Sequence, residues 1–503
     1  MTLTQLPWAV WCIMAPLLLA AACFVLGKRW GPLAGWLSAP LVAGVSSMLV
    51  WQVIEHGPQR YELGGWGAPL GIALRADGLS ALMIAMTSAI VLIVSFYAHS
   101  YFQPAHGLTR HGDADDLAHR RQYFWPLWLL MWASMHALFL SNDLFNIYVT
   151  LEILGISSVA LVSLAGGVAL TAGMRYLFVT LTGSLFYLLG VALLYSAFGV
   201  LDLDLLGARV EAGPVVWAAF ALMTVGLLLK TALFPLHFWL PSAHANAPAP
   251  VSALLSALVV KASFFLLVRL WLVVFGPLDA LEWARLLGML GSVAIIWGSI
   301  QALRQVRLKL LVAYSTVAQI GYLFVVFPLV AMGAPSAWPG GIYFVVSHAF
   351  AKAAMFLCAG TIARALGHDR IDMFHGVGKR HPVVIFAFGL AGISLMGLPP
   401  SGGYIAKWML LSAAIETEQW VFMVVIHAGG LLAAAYVFRV LQHAFSSLPC
   451  VSPAQGEVPR AMELAPFVLA VIAILLGLAA PYPLMLMEIG DPFALATPAQ
   501  GQP

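Results

Sequence analysis

Apolar runs of about 18 residues or more recur from one end of the chain to the other, with short polar segments between them. A run of that length crosses the hydrocarbon core of a bilayer as a single α-helix. A transmembrane β-barrel would instead show alternating segments of about ten residues, and the sequence lacks them. The pattern therefore predicts an all-α polytopic membrane protein.

Fourteen of these runs are interpreted as transmembrane helices, numbered here as predicted helices 1 to 14. Their centres lie near residues 18, 43, 87, 132, 154, 185, 225, 260, 291, 320, 352, 398, 433 and 474. The first run, residues 8–27, precedes the first positive charge, so we expect a retained helix rather than a signal peptide. Composition supports this class, because 62% of the 503 residues are hydrophobic and only 9% are charged.

The distribution of Lys and Arg predicts the orientation of the helices. Of 24 such residues, 15 follow odd-numbered predicted helices, 4 follow even-numbered ones and 5 lie within helices. Loops that are rich in Lys and Arg face the cytoplasm. We therefore expect both termini on the outer, periplasmic side of a bacterial inner membrane.

Two of the predicted helices are interrupted by proline and glycine. Pro235 and Pro241 interrupt predicted helix 7, and GLPPSGG at residues 397–403 interrupts predicted helix 12. Broken helices at membrane depth are typical of transporters with inverted repeats, so we expect predicted helices 4–8 and 9–13 to form two inverted five-helix repeats. The predicted division is 1–122 (predicted helices 1–3 and a cytoplasmic loop), 123–276 (first repeat), 277–446 (second repeat) and 447–503 (a linker and predicted helix 14).

The segments outside the membrane are small. Residues 99–122 are rich in charge and His, and a solvated cytoplasmic loop is favoured there over a metal site; residues 447–462 are expected to be a linker. The four cysteines are scattered, and the chain has no nucleotide-binding loop and no cluster-binding motif. We therefore expect no cofactor, no resident metal and no catalytic chemistry in this chain. A net charge of +3 is too small to indicate nucleic-acid binding.

Several charged residues lie inside the apolar runs. Glu152 is on predicted helix 5, Lys230 on 7, Lys261 on 8 and Lys407 on 12. A charge at the bilayer centre costs about 2.5–3.5 kcal/mol on insertion scales, so these residues point to an ion or proton pathway. The alternative is a structural ion pair or a side chain that reaches the interface, and this alternative suits Arg269.

Histidines in the apolar runs divide into two groups. His348 and Lys352 are four residues apart on predicted helix 11 and share one helix face. Histidine titrates near neutral pH, which suits the middle of a proton pathway, and Lys352 fits a pathway role and a structural role equally. His136 and His427 are interpreted as packing residues.

The buried charges also suggest how such a pathway is gated. Burial disfavours the charged form of a lysine, whereas a neighbouring carboxylate favours it. We predict that a Glu152–Lys230 ion pair holds the proton on Lys230. Separation of the pair would then release the proton towards Lys261, His348 and Lys407.

Four motifs together resemble a known family. They are LLKTALFPLHFWLPSAHANAPAPVSALLSALVVK, RLKLLVAYSTVAQIGYL, SHAFAKAAMFLCAGTI and GLPPSGGYIAKW. Over about residues 70–440 the chain is similar to the antiporter-like subunits of respiratory complex I and of Mrp-type Na+/H+ antiporters, and it is most like the Mrp D subunit. The resemblance implies a 14-helix subunit that conducts protons through a glutamate on helix 5, lysines on helices 7, 8 and 12 and a histidine on helix 11. The matching positions here are Glu152, Lys230, Lys261, Lys407 and His348.

Four further residues are auxiliary candidates for the same pathway. Lys309 matches a recurrent basic position of the family at the start of helix 10, and the others are Lys352, His244 and Arg175. Na+ or K+ is expected to be handled by sister subunits of a hetero-oligomeric complex in the lipid bilayer.

Three functions remain open at this point. The first is a proton-conducting subunit of a multisubunit Na+(K+)/H+ antiporter. The second is the proton-pumping subunit of a redox-driven complex, of the complex I or membrane-bound hydrogenase type, which would make the chain part of a translocase. The third is a membrane scaffold with vestigial charges, and the intact set of Glu152 and the lysines argues against it, because apolar residues would serve a scaffold better.

Overall fold

The structure, a computed structural model, describes residues 6–103, 111–446 and 458–490. Within these ranges the chain is mostly helical, and twelve helices are long and apolar enough to cross a bilayer. The prediction of an all-α polytopic membrane protein is confirmed. The count of fourteen membrane helices, the two inverted repeats and the domain boundaries stay predictions.

The α-helices follow one another along the chain with short connections. In the described ranges they are α1 (Trp8–His56), α2 (Gly78–Tyr101), α3 (His111–Leu140), α4 (Leu144–Ser163), α5 (Val168–Phe198), α6 (Leu203–Gly207), α7 (Pro214–Thr231), α8 (Leu240–Asn246), α9 (Ala249–Leu254), α10 (Val260–Val273), α11 (Leu281–Arg304), α12 (Leu308–Ala331), α13 (Ala337–Leu366), α14 (Val377–Arg380), α15 (Pro382–Met396), α16 (Gly402–Glu416), α17 (Trp420–Ala444), α18 (Arg460–Leu478) and α19 (Pro481–Glu488).

Helix α1 contains the first two predicted helices. It has 49 residues, which at 1.5 Å per residue is long enough to cross a bilayer twice. Gly27 interrupts it with a φ of 61° and a ψ of −156°, a conformation that favours glycine. The predicted helix over residues 8–27 is therefore confirmed at both ends, since α1 begins at Trp8 and breaks at Gly27.

The loop predicted over residues 99–122 is shorter than expected. Residues 104–110 lie outside the described ranges, but α3 already begins at His111, so the prediction of a loop through residue 122 was wrong. The sequence HGDADDLAHRRQ places three acidic residues at the start of this helix and basic residues after them. The predicted linker over 447–462 is described only from residue 458 onward.

Both predicted helix breaks are present. Helix α7 ends at Thr231, Ala232 has a left-handed conformation with a φ of 61°, and the chain becomes α-helical again at Leu240. Helix α15 ends at Met396, and α16 begins at Gly402 after Ser401, whose hydroxyl accepts from the Tyr404 N–H. The interruptions therefore lie where proline and glycine predict them.

A β-hairpin between α1 and α2 was not predicted from the sequence. Strands β1 (Gln59–Glu62) and β2 (Ala73–Ala76) pair antiparallel, with Gln59 opposite Ala76. Arg60 and Arg75 of this hairpin both form ion pairs with Asp204 in α6. The hairpin therefore ties the N-terminal helices to the segment between α5 and α7.

The most buried helices carry several of the chain's intramembrane charges, among them Lys261 and Lys352. The apolar windows of α9–α10 and of α13 are completely buried, whereas α1, α5 and α17 expose much of their apolar surface. Helix α12 packs between α11 and α13 and is also almost fully buried. Charged side chains on α10, α12 and α13 are therefore enclosed by protein rather than by lipid.

Candidate functional site

Lys230 lies in the last turn of α7, immediately before the helix break. Its ammonium donates to the Thr180 hydroxyl of α5 at 2.7 Å. Glu152 of α4 interacts electrostatically with Lys230, but the two side chains form no ion pair within 4.0 Å. The Glu152 Oε1 atom is buried without a hydrogen-bond partner among the described residues. The structure thus shows the two members of the predicted gate separated.

A small cavity adjoins Lys230 on the side of the next helix. Its walls include Thr180 and Tyr176 of α5 and, opposite them, Val259 and Ser263. Its volume of about 10 Å³ is roughly what one water molecule requires. Val259 and Ser263 flank the position of Lys261, so the cavity separates Lys230 from the helix that carries the second lysine.

Lys261 follows a turn in which the helix changes its hydrogen-bond spacing. Residues Leu255–Val259 form a π-helical turn between α9 and α10, and the Val260 N–H bonds to the Leu255 carbonyl, five residues earlier. The Lys261 ammonium donates to the Ser256 carbonyl inside this turn. Single π-helical turns frequently occur at functional sites, and this one holds the lysine against its own helix.

His348 and Lys352 lie on α13, as their spacing predicts. The Lys352 ammonium donates to the Val312 carbonyl at 3.2 Å and to the Ser315 hydroxyl, both on α12. His348 is buried, and neither of its ring nitrogens has a hydrogen-bond partner in the described part of the chain. His348 interacts electrostatically with Lys261 of α10, Lys352 of its own helix and Lys407 of α16, so it lies among lysines from three helices.

His244 and Lys309 meet at the segment after the first helix break. The Lys309 ammonium donates to the Ala247 carbonyl, directly after α8. His244, on α8, is buried without a ring-nitrogen partner among the described residues and interacts electrostatically with Lys261, Lys309 and Lys352. Lys309 also lines a cavity of about 430 Å³ together with Arg364. These two auxiliary candidates therefore connect the central lysines to a cavity at the start of α12.

Lys407 lies on α16, beyond the second helix break. Its ammonium donates to the Leu395 and Met396 carbonyls at the end of α15, at 2.7 and 3.4 Å, and to the Tyr322 hydroxyl at 3.3 Å. The carbonyls at a helix C-terminus lack partners within the helix and carry partial negative charge, so they stabilise a cation. Lys407 also lines a cavity of about 400 Å³ together with His427.

The structure brings most of the predicted pathway residues together. Lys261, His348, Lys352, His244 and Lys309 form one buried cluster, and His348 links it to Lys407. Lys230 and Glu152 lie together on the other side of the small cavity. Arg175 is exposed near the start of α5, and its side chain forms no hydrogen bond or ion pair with the described residues, so it stands apart from the cluster.

The buried lysines share a chemical feature. The ammonium nitrogens of Lys230, Lys261, Lys309, Lys352 and Lys407 have no carboxylate oxygen within 4.0 Å among the described residues. Their ammonium groups are held instead by backbone carbonyls and hydroxyls. A neutral acceptor stabilises an ammonium group less than a carboxylate does, so none of these lysines is held in an ion pair with a described residue.

Arg269 has the structural role that the sequence suggested. Its guanidinium forms two hydrogen bonds with Asp77, at 2.5 and 2.8 Å, and one with the Ser80 hydroxyl at 3.0 Å. Asp77 caps α2, just outside that helix, by accepting from the Ser80 N–H. Burial by itself raises the pKa of the Asp77 carboxyl, but Arg269 outweighs this effect and lowers the pKa to about 2.

His136 has the packing role that was predicted for it. Its Nε2 accepts from Trp132 at 2.9 Å, and its Nδ1 lies 2.9 Å from the Cys12 carbonyl. Because Nε2 accepts, Nδ1 carries the proton and donates to Cys12. The ring therefore joins α3 to α1. His427 is exposed, and its Nδ1 bonds to the Met423 carbonyl of its own helix.

Hydroxyl side chains around the lysines were missed at the level of sequence. Thr180, Ser315 and Tyr322 each accept a hydrogen bond from a lysine, and Ser256 supplies the carbonyl for another. Such residues are common in apolar helices and carry no insertion penalty comparable to that of a charge. The motif AYSTVAQIGYL contained a signal, since it places several polar side chains in one apolar run.

A family match covers more than half of the chain. Residues 141–433 match the family described as NADH:quinone oxidoreductase/Mrp antiporter, TM. This range runs from just before α4 into α17 and includes every lysine discussed above.

Two curated relatives extend the similarity over most of the chain. The N subunit of the NADH-quinone oxidoreductase of Desulforudis audaxviator is 35% identical over 443 residues, which are 86% of this chain and 85% of the relative. The D subunit of the Na(+)/H(+) antiporter of Alkalihalophilus pseudofirmus is 29% identical over 441 residues, which are 87% of this chain and 86% of the relative.

A solved structure has the same fold. A chain of the Mrp complex from Dietzia sp. DQ12-45-1b superposes with a TM-score of 0.87 at 24% identity, covering 99% of this chain and 98% of that one. At this identity the likeness concerns the fold alone.

Proposed function

The chain belongs to the NADH:quinone oxidoreductase/Mrp antiporter transmembrane family, and from that premise we propose that it is the proton-conducting subunit of a multisubunit Na+(K+)/H+ antiporter. It is an antiporter-like, multi-pass membrane subunit. In the proposal, protons move through this chain, while Na+ or K+ crosses in sister subunits. Antiporter D subunits among its relatives support this assignment.

One observation carries the proposal. The Lys230 ammonium is bonded to the Thr180 hydroxyl, while the nearby Glu152 carboxylate has an oxygen without a partner among the described residues. Lys230 therefore has two alternative acceptors, one neutral and one charged. Movement of the ammonium between them would hold the proton in one state and release it in the other.

The proposed pathway runs from Lys230 through the central cluster to Lys407. Lys261, His348 and Lys352 lie between the two broken helices, and the small cavity beside Lys230 offers space for a bridging water molecule. The cavity beside Lys309 would exchange protons with one aqueous phase, and Lys407, whose own cavity is lined mainly by apolar side chains, would be the last lysine at the other end of the route. Lys309, His244 and Lys352 support the cluster as auxiliary groups, and Arg175 has no position in this route.

The proposed setting is the bacterial inner membrane, with both termini on the periplasmic side. This orientation rests on the excess of Lys and Arg in the alternate loops. Multisubunit complexes among the similar structures support sister subunits as partners.

A second function is favoured by one specific comparison. The relative at 35% identity is a subunit of a NADH-quinone oxidoreductase. In that alternative, the same lysines would carry protons in a complex driven by electron transfer, and the redox chemistry would take place in other subunits.

Inverted membrane vesicles that contain the complex, produced from the chain and its genomic neighbours, would separate the two functions. A pH-sensitive dye reports the proton gradient before and after addition of Na+ or K+. For the antiporter we expect each cation to dissipate a preformed gradient. For the redox-driven alternative we expect no response to the cations and instead acidification of the vesicles on addition of an electron donor.

Substitutions test whether the proposed residues carry the protons. We expect Lys230→Gln and Glu152→Gln to lower the rate per assembled complex at least about tenfold, corresponding to a loss of about 1.4 kcal/mol. Lys379→Gln and Glu282→Gln, at exposed positions of the same residue types, are the controls and should leave the rate unchanged. Unaltered rates in the two buried variants, with wild-type vesicles active, would refute the assigned pathway while leaving the antiporter in place.

A further inference from the structure

Helix α12 presents a row of polar groups to the central lysines. Ser315 and Thr316 are adjacent, and Gln319 and Tyr322 follow at intervals of three or four residues, which places all four along one side of the helix. All four are completely buried. A row of unexposed polar side chains in a membrane helix is costly unless the groups are bonded to one another or serve a function.

At one end of this row, a hydroxyl pair joins two parts of the chain. The Ser256 hydroxyl, in the π-helical turn that holds Lys261, lies 2.8 Å from the Thr316 hydroxyl. Thr316 donates to the Val312 carbonyl at 3.0 Å. Because the single proton of Thr316 is used in that bond, Ser256 donates to Thr316.

The same Val312 carbonyl also fixes Lys352. It accepts from Lys352 at 3.2 Å and from the Ser315 hydroxyl at 2.9 Å, and Ser315 accepts from Lys352 in turn. The Val312 carbonyl is therefore bonded directly to the Lys352 ammonium. Through Thr316 and Ser256 it is also connected to the π-helical turn that holds Lys261.

At the other end, the row reaches Lys407. The Tyr322 hydroxyl accepts from Lys407 at 3.3 Å and donates to the Ile426 carbonyl at 3.1 Å. Between the two ends, the Gln319 amide donates to the Tyr436 hydroxyl at 3.4 Å. Gln319 Oε1 is buried with no partner among the described residues, so it retains a capacity to accept a hydrogen bond.

We propose that Ser315, Thr316, Gln319 and Tyr322 form a positioning stripe on α12 that holds Lys352 and Lys407 in register with Lys261, and that the Ser256–Thr316 hydrogen bond couples the two halves of the pathway. This inference rests on the proposed function, because it assigns to the stripe the task of keeping the proton-carrying lysines at transfer distance. The stripe residues are positioning residues, since they act through the lysines.

Substitutions of Thr316 give the most specific test of the proposed positioning stripe. Thr316→Val keeps the shape of the side chain and removes only the hydroxyl, whereas Thr316→Ser keeps the hydroxyl. Thr87→Val is the matched control, because Thr87 is equally buried on α2 and its hydroxyl has no partner among the described residues. The measurement is the proton flux per assembled complex in inverted vesicles as a function of pH. The flux is driven by an added cation or by an electron donor, whichever is active in wild-type vesicles.

We expect Thr316→Val, which removes the hydrogen bonds with Ser256 and with Val312, to lower the flux about fivefold and to shift its pH profile, with Thr316→Ser close to wild type. Ser256→Ala removes the same bond from the other side and should have the same effect. Where Thr316→Val does not assemble, Ser256→Ala provides the measurement. Combined, the two substitutions should cost no more than Thr316→Val alone, because the Ser256–Thr316 bond that Ser256→Ala removes is already lost in that variant.

Three results would overturn the inference. The first is a flux and pH profile of Thr316→Val and Ser256→Ala that match the wild type. The second is equal impairment of Thr316→Val and Thr316→Ser, and the third is full additivity of the two substitutions. Inactivity of the wild-type vesicles under both driving forces would instead count against the proposed function, so the two failures are distinguishable.

Discussion

The Lys407 ammonium lies 4.3 Å from the centre of the Tyr322 ring and donates to the hydroxyl of the same tyrosine at 3.3 Å. One aromatic side chain therefore offers this lysine both its π-face and an oxygen acceptor. Because no carboxylate of the described residues lies within 4.0 Å of Lys407, Tyr322 and the carbonyls of Leu395 and Met396 are what stabilise its charge.

Two substitutions of Tyr322 should therefore lower the proton flux by different amounts, depending on whether the aromatic ring is kept. Tyr322→Phe removes the hydroxyl and keeps the ring, so we expect a loss of about twofold to fivefold in proton flux. Tyr322→Leu also removes the cation–π interaction, worth about 0.5–2 kcal/mol, and we expect a loss of about tenfold or more. Tyr343→Phe is the control, since among the described residues that buried hydroxyl bonds only to the Leu476 carbonyl. Equal flux in the two Tyr322 variants would show that the ring does not stabilise Lys407.

The position of Lys230 makes a prediction about Thr180. Thr180→Val removes the neutral acceptor of the Lys230 ammonium and leaves Glu152 as its nearest alternative. We expect the ion pair to form more often, the proton to be released more slowly and the flux to fall about fivefold. Thr180→Ser should restore the flux.

Ser184 provides a control on the same helix. It is four residues from Thr180 on α5, is equally buried, and its hydroxyl has no partner among the described residues. Ser184→Ala should therefore retain the wild-type flux. A Thr180→Val variant with unchanged flux would mean that the Thr180 hydrogen bond plays no part in gating.

Features with strong local causes could be predicted from the sequence. Proline and glycine in GLPPSGG cannot continue a helix, and α15 ends where that motif begins. Lysines in apolar runs are costly enough to be recognised individually, and the structure encloses Lys230, Lys261 and Lys407 in protein.

Other features depend on partners that are distant in sequence. Strands β1 and β2 are only four residues each. Strand β1 is mostly exposed and β2 mostly buried, so neither has a hydrophobic alternation to reveal it. The Lys230 ammonium is bonded to Thr180, an uncharged residue on a different helix, and forms no ion pair with Glu152. The Ser256–Thr316 bond joins residues 60 positions apart. Pairings of this kind follow from how the helices pack, and a single sequence does not encode them in its periodicity.

The Asp77–Arg269 pair should stabilise the fold without affecting the pH dependence of function. Asp77→Asn leaves the Arg269 charge buried without its partner, so we expect a loss of about 3–5 kcal/mol in the free energy of unfolding. The measurement is the Tm of the purified complex in detergent. Asp372→Asn, which removes an exposed ion pair with Arg370, is the control and should not change the Tm measurably.

The pH dependence of that stabilisation follows from the lowered pKa of Asp77. Its value of about 2 in the folded protein is below the ordinary 3.8, so stability from the pair is fully present above about pH 4 and is lost as the pH falls through about 2. The Tm difference between wild type and Asp77→Asn should therefore be constant from neutral to mildly acidic pH. A difference that vanished within that range would contradict a pair with so low a pKa.

Gly397 connects the second helix break to Lys407. It has a φ of +82°, and a Cβ atom added to it would lie 2.7 Å from Cδ of Lys407. Gly397→Ala therefore has two effects, a backbone strain of about 1–2 kcal/mol and a displacement of the lysine. Gly333→Ala separates them, because Gly333 has a φ of +88° and nothing within 4 Å of the added atom. We expect both variants to lower the Tm of the complex similarly and only Gly397→Ala to lower the proton flux, measured per assembled complex in vesicles. If Gly333→Ala lowered the flux as much as Gly397→Ala, strain alone would explain the loss, and the close approach to Lys407 would have no functional importance.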